Sequence, residues 1–499
     1  MKKTILIFAA SLAFVAAGCK KTEPTSDDSS AKTAEEIIAN TDDFVEYSDF
    51  STTVTIVYNG ASATVTNPAA GAGVTISNND GQVTVTSTIK GVEYAVSGNG
   101  SGQLKIYSSY KFKTTLNNLT LTNTSGPAIN IQSGKRNFLV LSGTNTITGR
   151  GNDTATDAED EKGTVFSEGQ VIVSGDGALN IASSYKHAFA SDDYIRIREG
   201  AVTLTASGSN CKDGINTNDG FIMDGGTLTV NSTDEGICAG DDDHTGYTYI
   251  QGGVINITTT GGTAKGIKAY GDIWIQGGII TVNTPGYESK DSGSEGIESK
   301  ATLTISGGHI TVNSYDDAIN SAGNLYIKGG YVYAHSTNND GIDANGNCYI
   351  QGGVVYAIGA SSPECAVDAN TEQGYKLYVE GGTLVAISSL ESGASMTQAC
   401  YQTGSFKSGT WYALYNGGAL ALAFKTSTSG SNIIVSTSGT PTLTSGVTVS
   451  GGTEYFNGAV YVGGNVSGGS EASLSAYTGG AGGGGGKPGG NNGNPPEKP

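Results

Sequence analysis

Basic residues are scarce in this chain: 27 Lys and Arg stand against 46 Asp and Glu, a formal charge of −19. That balance argues against nucleic acid as a partner, since binding it needs Lys and Arg to displace counterions. An anionic polymer is an awkward ligand too, unless metal cations intervene. The four histidines form no Ser-His-Asp or metal-His constellation, and no Gly-rich phosphate loop follows a strand before a helix. Six cysteines are present. Setting Cys19 aside, the spacing of Cys211, Cys238, Cys348, Cys365 and Cys400 matches no zinc pattern, and they read as mostly buried small residues, with one disulfide possible in an oxidising compartment. No long run of three- and four-residue apolar spacing survives beyond the N-terminus, so the fold class is all-β.

What is present begins with a leader. Lys2 and Lys3 precede an apolar run too short to span a bilayer, and Val15-Ala16-Ala17-Gly18-Cys19 resembles a bacterial lipobox. Residues 1–19 are therefore expected to be a lipoprotein signal, with Cys19 lipidated and the mature chain tethered to a membrane in the cell envelope, periplasmic or at the cell surface. Residues 20–50 are polar and read as a flexible linker with a short helical stretch near Ala34–Ala39. Residues 478–499, rich in Gly, Pro and Asn, read as a disordered tail.

Between them lies a repeat. Aligned on a glycine pair, FIMDGGTLTVNS, YIQGGVINITT, IWIQGGIITVNT, LTISGGHITVNS, LYIKGGYVYAHS, CYIQGGVVYAIG and LYVEGGTLVAIS start their pairs at Gly225, Gly252, Gly277, Gly307, Gly329, Gly352 and Gly381. The shortest step, from Gly307 to Gly329, suffices for three short strands and three tight turns. The expected architecture is a right-handed parallel β-helix of three sides over residues 51–395, closed by a small β-rich cap over 396–477. Stacking sets equivalent residues about 4.7–4.9 Å apart, so every repeat position becomes a ladder.

Two ladders carry chemistry. Ahead of a recurring Ile the stack runs His187, Asp213, Glu235, Lys265, Glu295, Asp317, Asp340. Like charges one strand apart repel by about 1 kcal/mol even in water-like dielectric. Lys265 and Lys268 are positioned to neutralise Glu235, Glu295 and Glu298, whereas Asp316, Asp317, Asp340 and Asp343 have no basic residue in register. Oxygen-coordinated Ca²⁺ is the natural counter-charge there. Asp213 with Asp234 or Glu235 forms a second candidate, joined by the insertion Asp241-Asp242-Asp243. The bland alternative is a solvated acidic face. The second ladder, outward and ahead of the glycine pair, carries Tyr249, Trp274, Thr304, Tyr326, Tyr349 and Tyr378, with Tyr333 and Tyr356 as a further pair on the next strand. Exposed rings in a row offer flat faces for sugars, or simply stabilise the stack.

From about Gly73 to Gly353, including GVEYAVSGNGSGQLKIYSS, LNNLTLTNTSGPAINIQSGK, NFLVLSGTNTITG, HAFASDDYIRIREGAVTLTAS and the later Asp-Gly-Ile copies, the chain resembles bacterial carbohydrate-binding-domain proteins, cellulose- and acidic-sugar-binding β-helices distantly related to pectate lyases. The resemblance implies a right-handed parallel β-helix, bound Ca²⁺ and affinity for polysaccharide without firmly established catalysis. Its Asp-Gly-Ile turns match Asp213, Asp340 and, with Ala for Gly, Asp317; Glu235 and Glu295 keep the charge and Lys265 reverses it. The leading expectation is a lipid-anchored, non-catalytic, calcium-dependent polysaccharide binder. The alternatives are a calcium-dependent uronate lyase using Lys265, Lys268, Lys290 or Lys300 as base, and a structural adhesin.

Overall fold

In the computed structural model, residues 36–37, 39–152, 159–287 and 293–479 are described. Cys19 and the rest of the expected signal over residues 1–19, Lys290 and all but the first two residues of the expected tail lie outside them. Two units are distinguished, residues 1–40 and 41–499. In the first, helical backbone is seen at Glu36 and Ile37.

The second unit is all-β, a solenoid of stacked coils. Short strands return in fixed order, and each coil adds one strand to each of three ladders of parallel pairs. One ladder runs through Ile215–Thr217, Ile237–Ala239, Ile267–Ala269, Ile297–Ser299, Ile319–Ser321 and Ile342–Ala344. Another contains Ile273–Ile275, Leu303–Ile305, Leu325–Ile327 and Cys348–Ile350. The third contains Thr227–Ser232, Val254–Thr259, Ile279–Thr284 and His309–Ser314. Alternation explains the core: Leu325 and Ile327 point inward and are fully buried, while Tyr326 between them is half-buried on the outside. Each buried Ile or Leu of such a column contributes about 1.5–3 kcal/mol relative to exposure, so the core grows coil by coil.

The glycine pair is required by two different constraints. At Gly277 a Cβ would lie 2.3 Å from the Gln251 carbonyl oxygen of the coil above, while Gly278 has φ +88°, open to few side chains. A third glycine, in the Gly-Ile segment, permits close packing: a Cβ on Gly296 would meet Val312 Cγ1 at 2.0 Å.

Antiparallel strands lie at both solenoid ends and cover part of the edges there. At the start Thr52–Gly60 pairs with Ser62–Thr66, and Val74–Asn79 with Gln82–Ser87. At the far end Ile433–Ser436 pairs with Leu384–Ile387. The C-terminal sheets do more than cap the end. Tyr333 and Tyr356, expected to stand outward, are buried against Phe456 and Phe424, so this domain packs along the outer face of the last coils.

Residues 41–50, expected to be linker, form two 3₁₀ turns, Thr41–Asp43 and Val45–Tyr47, that lie over the solenoid as a strap. Charge explains why so polar a segment is ordered. Asp43, wholly buried, meets Arg196 Nη1 at 2.9 Å and Arg136 Nε at 2.9 Å and accepts a 2.6 Å hydrogen bond from the Tyr194 hydroxyl. Glu46 pairs with Arg198 at 3.0 Å, and Phe44 lies 4.2 Å from that guanidinium. Three of the four arginines in the sequence thus hold the strap. All five cysteines described are buried free thiols, so the disulfide left open in the sequence is not formed.

Candidate functional site

Register places the acidic residues in two neighbouring columns of the Gly-Ile ladder. Ahead of the buried Ile stand Asp213, Glu235, Lys265, Glu295, Asp317 and Asp340; after it stand Cys238, Lys268, Glu298, Asn320, Asp343 and Asp368.

The middle of the ladder neutralises itself, as expected. Lys265, 4% exposed, pairs with Glu295 at 3.1 Å and donates to the carbonyl oxygens of Gly293 at 2.8 Å and Thr263 at 3.1 Å. Lys268 faces Glu235 at 3.9 Å, and Lys300 pairs with Glu298. Even so, burial and then the neighbouring Glu298 push the Glu295 carboxyl up to about 6. Burial works to lower the Lys268 ammonium, but Glu235 and the Tyr270 hydroxyl outweigh it and hold it above its ordinary value.

Beyond Glu298 no base enters the columns. Asp340, Asp343 and Asp368 bring one carboxylate oxygen each within 4.8 Å of one another. Burial first, and then a hydrogen bond with Glu391, push Asp368 up to about 10, and its Oδ1 is a buried atom without a hydrogen-bond partner. Asp316 and Asp317, expected in this cluster, are outside it. Asp316 accepts from Asn339 Nδ2 at 2.7 Å; Asp317 accepts from Asn320 Nδ2 at 2.9 Å and from the Asp340 N–H at 3.0 Å. Asp317 is nevertheless held well above its ordinary value, by burial and by Asp343 and Asp340. Asn320 bridges the two, donating also to Asp343 at 3.0 Å.

The second acidic candidate does assemble: Asp213, Asp234 and Glu235 place oxygens within 4.8 Å of one another. Two of its members are driven apart. Burial and Asp213 raise Glu235 well above its ordinary value, whereas Asp213 stays below its own because His187, 3.2 Å away, outweighs the burial that opposes it. The insertion takes no part in this cluster; Asp241 pairs with His244 at 2.7 Å on the surface.

Asp368 escaped the sequence reading because Cys365-Ala366-Val367-Asp368 stands where the preceding coil has Asp340-Gly341-Ile342-Asp343, so the Gly-Ile signal is lost although the register is kept. Glu391 follows in the same way, one residue after Leu390. The recoverable signal was the acidic residue after each of the last three buried apolar ones, Asp343 after Ile342, Asp368 after Val367 and Glu391 after Leu390.

The aromatic column is in register as expected, Tyr249 beside Trp274, then Thr304, Tyr326, Tyr349 and Tyr378. Its exposure is not. Tyr249 is fully buried, its ring 6.5 Å from Trp274, and the outward positions before it, among them Phe138 and Arg196, are covered, Phe138 meeting Phe50 of the strap and Arg196 meeting Asp43. Tyr326, Tyr349 and Tyr378 stack at 4.8 and 4.7 Å with planes 3° and 8° apart. Within this stack both faces of Tyr349 are taken by its neighbours, which leaves its ring edge and hydroxyl outward, while Trp274 makes only tilted ring contacts and lies beside Thr304.

Residues 79–341 match a family model described as carbohydrate-binding domain-containing protein. The chain belongs to that family. The family match contains Asp213, Asp234 and Glu235 whole but ends between Asp340 and Asp343, so the Asp368 cluster and the last two tyrosines of the column lie at or beyond its edge. Among solved structures, the polysaccharide lyase-like protein from C. thermocellum, a gadolinium derivative, is similar over 56% of this chain and 100% of that one, at 17% identity and a TM-score of 0.40. A search of curated proteins gives no match.

Proposed function

We propose that this chain is a non-catalytic, calcium-dependent polysaccharide-binding protein, its solenoid a right-handed parallel β-helix of three sides, anchored to the cell envelope through lipid on Cys19. The observation that carries the reading is the carbohydrate-binding family match over more than half the chain. The cation requirement is supported by the Asp340, Asp343 and Asp368 cluster, whose donors are all hard oxygens and whose Asp368 Oδ1 lacks a partner. Bound there, Ca²⁺ would supply the counter-charge that the columns lack and open coordination for sugar oxygens. Asp340 and Asp343 would hold it from adjacent positions of one coil, Asp368 from the next. Asn320 keeps Asp343 oriented and Asp317 separate.

The lyase alternative needs a Lys that gives up its proton, and two of its four candidates are poorly placed for that. Lys265 is enclosed by a carboxylate and two carbonyls, and Lys268 is held above its ordinary value.

The test is retention of the purified protein on polygalacturonate, with calcium or with chelator, while ultraviolet absorbance follows unsaturated product. Retention that chelator abolishes, without product, is expected. Product formation would overturn the non-catalytic part, and absence of retention on acidic and neutral polymers alike would overturn the reading as a whole.

A further inference from the structure

The third ladder carries a surface of a different kind. The five consecutive strands Ala201–Ala206, Thr227–Ser232, Val254–Thr259, Ile279–Thr284 and His309–Ser314 each turn three side chains outward, and none of these bears a carboxylate, ammonium or guanidinium. The middle row runs Thr203, Thr229, Asn256, Thr281, Thr311. Beside it runs Thr205, Asn231, Thr258, Asn283, Asn313. In a chain of charge −19, whose adjoining ladder is lined with carboxylates, this is a neutral strip of hydroxyls and amides.

Most of its polar groups are free, while Asn313 donates to Asn283 at 3.2 Å and its Oδ1 lies 3.4 Å from His335 Nδ1. Thr203, Thr205, Thr229, Asn256, Thr258 and Thr281 make no side-chain hydrogen bond within the described residues, and only Thr311 of the middle row is buried. Coil spacing gives a regular array about 4.7–4.9 Å apart along the axis, extending for about 19 Å over five coils. Aromatic groups bound it. Ile279, 51% exposed, continues the outer row to His309, whose ring lies edge-on at 5.2 Å to Tyr331 and 5.0 Å to Tyr455. Tyr455 comes from the C-terminal domain and stacks on Tyr331 at 4.1 Å, forming a wall where the strip ends. At its flank Tyr287, 61% exposed, lies against Gly262, where a Cβ would meet the ring at 2.2 Å.

We infer that this strip is a second glycan face, taking an uncharged, hydroxyl-rich polymer laid along the solenoid, and that it works independently of the acidic ladder. The inference rests on the polysaccharide-binding reading above. Neutral hydroxyls and amides exchange hydrogen bonds with sugar hydroxyls at little desolvation cost, whereas an anionic polymer would bring charge to a strip with no cation to receive it. Because the strip and the Asp340, Asp343 and Asp368 cluster stand on different ladders, one molecule can hold a neutral and an acidic strand together.

The test is retention on microcrystalline cellulose of the full chain and of Thr229→Glu with Thr281→Glu, each with and without soluble polygalacturonate. Circular dichroism and melting temperature establish folding, and Thr229→Ser with Thr281→Ser serves as the conservative control. We expect the glutamate pair to lose retention at least ten-fold, the serine pair to keep it, and polygalacturonate not to compete. If the unaltered chain is retained and a folded glutamate pair is retained equally, the inference falls and the glycan-binding reading stands. Competition by polygalacturonate overturns the independence of the faces. If the unaltered chain is held by neither polymer, the glycan-binding reading itself fails.

Discussion

Two stretches of one ladder answer the same electrostatic problem differently. Between Glu235 and Glu298 the stacked carboxylates are met by Lys265, Lys268 and Lys300, built into the chain. Between Asp317 and Glu391 the stacking continues with no base in register, and Asn320 and a carboxyl that keeps its proton do what they can. The backbone is the same in both. A solenoid thus lets one coil position be a structural ion pair and, a few coils on, a cluster of carboxylates with no built-in cation, with no change in fold.

The comparison breaks most visibly at Lys265. Replacing it with Met removes the charge but keeps most of the volume, leaving Glu295 and two carbonyls buried and uncompensated. A loss of about 3–5 kcal/mol is expected in urea unfolding, the range for breaking a buried pair from one side. A loss below about 1 kcal/mol would show that the middle stretch is not held by its ion pair.

The pH response should differ in the other stretch. In the folded, metal-free protein Asp368 keeps its proton up to about 10, whereas unfolded it ionises near 3.8. Between those values the folded state binds the extra proton, so this group's contribution is full at acid pH and is lost as pH rises. Glu391 acts in the opposite sense at the acid end: burial opposes it, but hydrogen bonds with Asp368, Thr371 and Ser392 hold it below its ordinary value. The metal-free melting temperature should fall from about pH 5 to about pH 8, and Asp368→Asn should flatten that slope. A slope unchanged by the variant would remove Asp368 from the account.

Making the second stretch resemble the first sharpens the contrast. Asn320→Lys sets an ammonium between Asp317 and Asp343, in the column of Lys268, and should raise metal-free stability at neutral pH by about 1 kcal/mol while weakening the calcium response. Thermal melts with and without calcium read both. The smallest effect belongs to the aromatic column: Tyr349→Ala removes two stacked contacts and should cost about 0.4–2 kcal/mol, with polysaccharide retention unchanged. Lost retention in a folded Tyr349→Ala protein would return that column to the binding surface.

Much of this was readable from residues alone. Period two, the glycine pair and the Gly-Ile segment give the coils, and stacking then gives the ladders with Lys265 in its place. What escaped was whatever lies over the ladders. Tyr249 reads as exposed because nothing local says that its ring is covered, and the strap over the neighbouring outward positions is too polar in residues 41–50 to announce that Asp43 will be buried between two arginines. Tyr333 and Tyr356 were misread for the same reason, since their cover comes from Phe456 and Phe424, distant in sequence. Asp368 was missed because the reading followed Gly-Ile and not the register itself. The neutrality of the third ladder was in plain view but consists of residues that carry no motif.

The central claim, that the unneutralised stretch is completed by calcium, is tested most directly by titrating the metal-free protein with Ca²⁺ at neutral pH and following its melting temperature. At a hundredfold excess over the dissociation constant, binding to the folded state alone adds about 2.7 kcal/mol. The account predicts a rise of several degrees for the unaltered chain and a much smaller one for Asp343→Asn with Asp368→Asn. A flat titration of the unaltered chain, or an equal rise in both proteins, would contradict it.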